Sequence, residues 1–283
     1  MLRYVNLMGE QIDKVEQAIN RLKLFEPEDG YYLAFSGGKD SCCIKELAIM
    51  AAVKFDAHYS VTTVDPPELT RFILKHHPDV IWDRPSLPMR KLIVTKNYPP
   101  TRNSRYCCQY LKEGGGEWRV VVTGVRWAES PRRRRLHGVA RVGEKDKSII
   151  MNDDNDESRE IVDQCYRTKK TMINPIVDWL DEDVWEFIRE RNLPYCSLYD
   201  EGFSRLGCVG CPMAGESRFR QFERWPQYKR LYINAFSEML KNRAEKGLGS
   251  NTWTSGEKVF AWWMGKGGKE SNPDQVGFDD EDE

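Results

Sequence analysis

Two glycines, a lysine, an aspartate and two serines meet at Ser36-Gly37-Gly38-Lys39-Asp40-Ser41, directly after the apolar run YYLAF. From Ser41 to Val53 the composition is helical, so the hexapeptide reads as a strand-to-helix turn. Such a turn offers unpaired backbone N–H groups and the positive end of a helix dipole, a combination that binds phosphate. Glycine lets the backbone approach an anion closely, Lys39 adds charge, and Ser36 and Ser41 add hydroxyl donors. The spacing departs from the Walker pattern G-x-x-x-x-G-K-[ST].

A second group follows another apolar run. TGVRWAESPRRRR (123–135) leaves RVVVTGV (119–125) and presents Arg126, Glu129, Ser130 and four consecutive arginines. This is the carboxyl end of a strand, where open α/β sheets bind ligands. Guanidinium groups suit phosphate or sulfate because they bond two oxygens at once. Arg126 reads as a pocket residue, whereas Arg134 and Arg135 read equally as a solvated or nucleic-acid-facing patch.

The third group is sulfur. Of eight cysteines, Cys107-Cys108 are adjacent and Cys208-Cys211 form C-x-x-C with Gly207 and Gly210 in turn positions. C-x-x-C serves zinc, iron–sulfur and dithiol chemistry alike. Adjacent cysteines diverge too far to chelate one tetrahedral ion well, while a cubane offers separate iron corners. Cys42 and Cys43 read as small core residues of the helix after the loop, and Cys165 and Cys196 have no evident partner.

SGGKDS after an apolar strand resembles the pyrophosphate loop of the PP-loop ATP pyrophosphatases, which hold the terminal phosphates of ATP and cleave between the α and β phosphates. With Arg-x-Cys-Cys and Cys-x-x-Cys behind it, the chain resembles the phosphoadenosine phosphosulfate (PAPS) reductase family. The likeness is closest to its cluster-bearing adenylylsulfate reductases and the sulfur-transfer proteins of DNA phosphorothioation, and it spans about residues 30–215.

The resemblance implies an adenine nucleotide α-hydrolase-like fold. It also implies a [4Fe–4S] cluster on Cys107, Cys108, Cys208 and Cys211, with structural zinc as the alternative. Gly124, Arg126, Glu129, Ser130 and Arg133 match the family's Gly-x-Arg-x-x-[Glu/Gln]-Ser-x-x-Arg motif and would line the nucleotide pocket with Ser36, Gly37, Gly38, Lys39, Asp40 and Ser41. Asp65 matches a position near the adenosine, or caps the helix after Pro66-Pro67. ATP with Mg²⁺ is the implied ligand, with Lys39 and Arg126 as catalytic groups.

One feature of the family's reductases is missing. They attack the sulfate sulfur with a cysteine in a short C-terminal segment, and residues 212–283 hold no cysteine. The reading is therefore adenylylation of an acceptor with pyrophosphate release, for sulfur transfer. One alternative is sulfonucleotide reduction by another thiol, from Cys165, Cys196 or a partner protein. A non-catalytic nucleotide- or redox-sensing module is another. The partners implied are ATP or a sulfonucleotide, a nucleic-acid acceptor, and a sulfur-donor or thiol protein.

The elements that must position these groups alternate. Residues 9–25 form an amphipathic helix through Ile12, Val15, Ile19, Leu22 and Phe25. Strands are expected at YYLAF, HYSVTTVD (58–65), Val80–Trp82, RVVVTGV and INPI (173–176), with a helix from PPELTRFILKHH. Asp181 is expected to cap a helix through Arg191, with Trp179, Trp185 and Tyr199 in the core. Residues 83–116 read as irregular and 142–160 as a surface hairpin or loop. Alternation of this kind gives a doubly wound, mostly parallel sheet of about five strands with a helical C-terminal extension. The organisation expected is an N-terminal helix (1–28), a PP-loop domain with the cysteine site (29–215), a helical extension (216–270) whose tryptophans pack or form a lid, and an acidic disordered tail (271–283).

A net charge of −1, with 40% hydrophobic and 31% charged residues, leaves no global field for polyanions. There is no apolar run near membrane-spanning length and no secretory leader pattern, so no membrane association and a cytoplasmic location are expected.

Overall fold

The computed structural model describes residues 1–5, 8–143, 147–166, 168–249 and 253–265. Strands are β1 (Arg3–Val5), β2 (Gln11–Asp13), β3 (Tyr31–Ala34), β4 (Phe55–Ser60), β5 (Ile81–Asp83), β6 (Val120–Val122), β7 (Ala140–Val142), β8 (Ile149–Met151) and β9 (Thr171–Ile173). Helices are α1 (Lys14–Leu24), α2 (Lys39–Ala51), α3 (Pro67–His76), α4 (Met89–Lys96), α5 (Tyr106–Leu111), α6 (Pro131–Leu136), α7 (Asp156–Cys165), α8 (Asp181–Glu190), α9 (Ser217–Arg224), α10 (Pro226–Glu245) and α11 (Gly256–Trp263). By packing, the chain divides into two units. One comprises Met1–Val61, Asp65–Arg84 and Leu111–Gly207, and the other Thr62–Val64, Pro85–Tyr110 and the residues from Cys208 on.

The first unit holds a seven-stranded sheet in the order β5-β4-β3-β6-β9-β7-β8. The five strands from β5 to β9 run parallel, and β7 joins antiparallel to both β9 and β8. The central strands are continuous apolar runs because both faces are covered: Tyr31, Leu33, Val120, Val122 and Ile173 are fully buried. Each such aliphatic side chain contributes about 1.5–3 kcal/mol by leaving water. α2 packs against α1 and α8, and Ile44, Leu47, Phe187 and Ile188 are buried on these helices. From β3 the chain adds β4 and β5 to one side, then β6 and β9 to the other. The order therefore reverses between β3 and β6, which opens a crevice at their carboxyl ends.

The second unit is helical. α10 packs on α4 and α11, and its core is aromatic: Phe222, Tyr232, Phe236, Phe260 and Trp263 meet edge-on or tilted at 4.7–5.9 Å between ring centres. Trp263 donates its indole N–H to the Pro100 carbonyl at 2.6 Å, and Trp253 and Trp262 pack together and against Tyr98. The tryptophans are packing residues.

Several expected elements are moved. Helix α1 begins at Lys14, because the Asp13 carboxylate accepts from the Val15 and Glu16 amides at 2.9 and 3.1 Å, and a short β1–β2 hairpin precedes it. β4 runs from Phe55 to Ser60 and stops short of Asp65. The strand assigned to INPI is Thr171–Ile173, with Asn174 buried beyond it and donating to the Gly138 carbonyl. Residues 83–116 are irregular only in part: Pro88 immediately precedes α4, where proline's fixed φ suits helix entry, and Tyr106 opens α5. The hairpin in 142–160 is β7–β8, and α7 begins inside that range at Asp156. The tail 271–283 lies outside the described residues.

Candidate functional site

Both phosphate-seeking segments leave the sheet at the switch point. Ser36–Gly38 follow β3, and Lys39, Asp40 and Ser41 form the first turn of α2. Ser36 Oγ donates to Ser41 Oγ at 3.2 Å, and Ser41 Oγ lies 2.8 Å from the Gly38 carbonyl. Gly37 is buried in the turn and Gly38 is the last residue before the helix. The Lys39 amide donates to the Tyr199 hydroxyl at 2.8 Å, which fixes the end of the helix.

The second segment crosses it closely. Gly124 passes so near Asp40 that an added Cβ would stand 3.0 Å from the Asp40 Cβ. That approach lets Arg126, only 2% exposed, reach across: its Nε donates to Asp40 Oδ1 at 2.6 Å, one Nη to Asp181 Oδ1 at 2.9 Å and the other to the Trp179 carbonyl at 3.3 Å. Lys39 Nζ, also buried, sits 3.0 Å from Asp181 Oδ1 and 3.6 Å from Asp40 Oδ2. Two cations thus share two carboxylates. Burial alone would raise the Asp181 carboxyl, but hydrogen bonds from Lys39 and Arg126 outweigh it and hold the group below its ordinary value. Burial works against the Arg126 charge, and Asp40 and Asp181 more than restore it.

The network continues outward. Glu129 accepts from the Arg126 amide at 3.3 Å and from the Arg133 guanidinium. Ser130 caps α6, its Oγ accepting from the Arg133 amide at 3.2 Å. Burial lowers the Arg133 pKa from its usual value, and the neighbouring charges of Arg205 and Arg126 add to that. Arg132, Arg134 and Arg135 are exposed. Asp65 is buried and accepts from Tyr59 at 2.5 Å; α3 has no side-chain cap, so Asp65 does not serve that purpose.

The structure therefore joins Ser36, Lys39, Asp40, Ser41, Gly124, Arg126, Glu129, Ser130 and Arg133 into one connected group. It adds two residues that sequence reasoning assigned elsewhere. Asp181 is the first residue of α8, not its cap, and faces Lys39 and Arg126; Asp183 does the capping, accepting from the Leu180 amide at 2.8 Å. Tyr199 is only half-buried and binds the loop instead of the core. In D-E-D, the acid three residues past Leu180 was the available capping signal.

In the second unit, Cys107 and Cys108 occupy the start of α5 and Cys208 and Cys211 flank a tight turn, all four half-buried. Cys107 is pushed well above the usual thiol range, first by a hydrogen bond with Cys108, then by burial and by Cys108, Cys208 and Cys211. The four sulfurs thus share one neighbourhood. The turn is pinned from three sides: the Gly210 amide donates to Gln221 Oε1 at 2.8 Å, Tyr232 donates to the Val209 carbonyl at 3.0 Å, and the Val209 amide donates to the Val64 carbonyl at 2.8 Å. Successive helical residues point about 100° apart, so Cys107 and Cys108 offer two separate corners rather than one chelate. Among the described residues, no three His, Cys, Asp or Glu side chains form a ready-made cage for a single ion. The donor chemistry, four thiols on two short segments, fits a Cys₄ cluster.

Of the remaining thiols, Cys42, Cys43 and Cys196 are buried and Cys165 is half-buried. Burial pushes Cys42 up to about 12 and Cys43 and Cys196 upward as well. Among the described residues no helix is long and apolar enough to cross a membrane.

Known proteins share parts of this chain. An uncharacterised protein of Methanocaldococcus jannaschii is 29% identical over 216 residues, 73% of this chain and 46% of that one. The adenosine 5'-phosphosulfate reductase of Staphylococcus haemolyticus is 22% identical over 170 residues, 59% of this chain and 61% of its own length. That of Oceanobacillus iheyensis is 36% identical over 52 residues, 18% of this chain and 22% of its own length. The chain thus spans less than half the length of the first curated relatives it matches. Among solved structures, phosphoadenylyl-sulfate reductase from Candida auris, a phosphate complex, overlaps 69% of this chain and 87% of its own at 16% identity and a TM-score of 0.46. Residues 30–214, which carry the loop, the arginine segment and all four half-buried cysteines of the turn and α5, match the phosphoadenosine phosphosulfate reductase domain, and the chain belongs to that family.

Proposed function

We propose that this chain binds ATP at the switch-point crevice and adenylylates an acceptor oxygen, releasing pyrophosphate and preparing the acceptor for sulfur. The observation that carries this reading is the convergence of buried Lys39 and Arg126 on Asp40 and Asp181 beside the Ser36–Ser41 loop. Lys39 and the loop amides bind the β and γ phosphates, and Arg126 and Arg133 hold the α-phosphate or the acceptor. Asp40 and Asp181 offer the oxygens that Mg²⁺ prefers, and the ion, when bound, screens phosphate charge. The acceptor oxygen attacks the α-phosphorus, the α–β bridging P–O bond breaks, and pyrophosphate leaves. A sulfide-level donor then displaces AMP from the acceptor. Cys107, Cys108, Cys208 and Cys211 hold a [4Fe–4S] cluster; the exposed arginines of α6 favour a nucleic-acid acceptor.

Sulfonucleotide reduction is the second reading, favoured by the reductase names of several relatives. Attack on a sulfate sulfur requires an ionised thiol, and burial raises the Cys42, Cys43 and Cys196 thiols, which leaves half-buried Cys165 as this chain's own candidate. Product analysis separates the two. Anaerobic protein, and its Cys42→Ala/Cys43→Ala/Cys165→Ala/Cys196→Ala variant, are each given ATP with Mg²⁺, or adenylylsulfate with dithiothreitol. Slow AMP and pyrophosphate formation from ATP, retained in the variant, is expected. Sulfite formation from adenylylsulfate that disappears in the variant would establish reduction instead.

A further inference from the structure

The first turn of α9 carries a guanidinium that the nucleotide site does not use. Arg218 lies seven residues after Cys211. One Nη donates to the Trp263 carbonyl at 3.0 Å, and the guanidinium carbon stands 4.1 Å over the Trp263 ring, itself buried. The other two nitrogens, Nε and the second Nη, are buried with no hydrogen-bond partner. Arginine does not shed its proton in a protein, so these are two idle donors on a permanent cation withdrawn from water. Stacking on indole and one carbonyl bond hold the group in place, but neither supplies the missing counter-charge. Among the described residues no carboxylate is hydrogen-bonded to the Arg218 guanidinium.

Buried polar groups left without partners call for an explanation by an unseen ion or ligand. Here the neighbouring chemistry names its class. The Trp263 ring that carries Arg218 lies 4.7 Å from the Tyr232 ring, whose hydroxyl bonds Val209 inside the cysteine turn, and a Cβ on Gly210 of that turn would stand 3.1 Å from the Trp263 ring. A cluster ligated by four thiolates carries net negative charge and presents sulfurs that accept hydrogen bonds. We propose that Arg218 is the cationic hydrogen-bond donor to the iron–sulfur cluster on Cys107, Cys108, Cys208 and Cys211, a positioning residue that sets its reduction potential and its retention. The inference rests on the Cys₄ cluster reading above. It assigns the site a polarity: the idle donors favour the more reduced, more negative cluster, because hydrogen bonds to sulfur and nearby positive charge both raise the potential.

The test uses the full-length chain purified anaerobically, as wild type, Arg218→Lys and Arg218→Gln, with far-ultraviolet circular dichroism to show that each folds. Iron and acid-labile sulfide per chain, and the midpoint potential from a titration followed by electron paramagnetic resonance, are the readouts. Arg218→Gln keeps size and a neutral donor but loses charge, so its midpoint is expected to move to more negative potential and its iron content to fall after gel filtration. Arg218→Lys is expected to recover most of both. A folded Arg218→Gln variant with wild-type potential and iron content overturns the role of Arg218 while leaving the cluster standing. A wild-type chain that binds zinc, or no metal, overturns the cluster reading and this inference with it.

Discussion

Lys39 and Arg126 show why single residues at this site do not act alone. Each is a buried cation, tolerable only because Asp40 and Asp181 supply opposite charge at 2.6–3.6 Å. On the proposed reading, a polyphosphate entering there would meet donors already aimed by these pairs. Replacing Lys39 with Met removes a charge-assisted phosphate contact worth about 1.5–3 kcal/mol, so ATP affinity by calorimetry is expected to fall about 10- to 150-fold. An unchanged dissociation constant would remove Lys39 from the site. At this scale most of the site was legible, because SGGKDS and the Gly124–Arg133 segment announce themselves by residue type and spacing. Asp181 and Tyr199 were not. An aspartate at a helix start reads as a cap whichever way its carboxylate turns, and a tyrosine among apolar neighbours reads as core. Only the fold shows that both face Lys39.

The elements that hold these residues fail in separable ways. Asp183, fully buried, caps α8 through the Leu180 amide and pairs with Lys14 of α1. Asp183→Asn leaves the Lys14 charge without its partner and is expected to cost about 3–5 kcal/mol in urea denaturation. Burial pushes the Asp183 carboxyl up, but the hydrogen bonds from Lys14 and the Leu180 amide win and hold it below its ordinary value. Its stabilisation is therefore present above about pH 4 and is lost as pH falls through the lower folded value. The gap between wild type and Asp183→Asn should shrink below about pH 4, and a constant gap would contradict the pairing. In the second unit Gly210 has a φ of +76°, and an added Cβ would stand 2.4 Å from the Phe222 ring. Gly210→Ala is expected to destabilise the cysteine turn by about 1–3 kcal/mol and lower the iron bound per chain. Wild-type iron content in that variant would separate the turn from metal binding. The strands after Gly30 and Arg119 were readable as apolar runs. α4 and α5 were hidden because the prolines of 83–116 look like breakers, although Pro88 stands at a helix entrance, and α5 is too short for a clear period.

Over the whole molecule, alternating apolar runs were enough to give a parallel sheet with helices, and the five parallel strands follow. The β7–β8 edge was expected only as a hairpin or loop over 142–160, and its antiparallel joining to β9 did not show, because three-residue strands carry no alternation to detect. The aromatic packing of the second unit was likewise invisible as a layout: tryptophan counts do not say which rings meet. A bound cluster stabilises whichever folded segments ligate it. Stripping iron with a chelator should therefore make residues 85–110 and the segment after Cys208 more sensitive to limited proteolysis, with β3, β6 and α2 unaffected; equal protection with and without iron would count against the cysteines as ligands. The central claim is that the crevice between β3 and β6 is built for ATP. Calorimetry on anaerobically purified protein tests it most directly, comparing a non-hydrolysable ATP analogue with Mg²⁺ against adenylylsulfate and phosphoadenylylsulfate. The account predicts clearly tighter binding of the ATP analogue, weakened by Lys39→Met. Tight binding of a sulfonucleotide with little or none of the ATP analogue would contradict it.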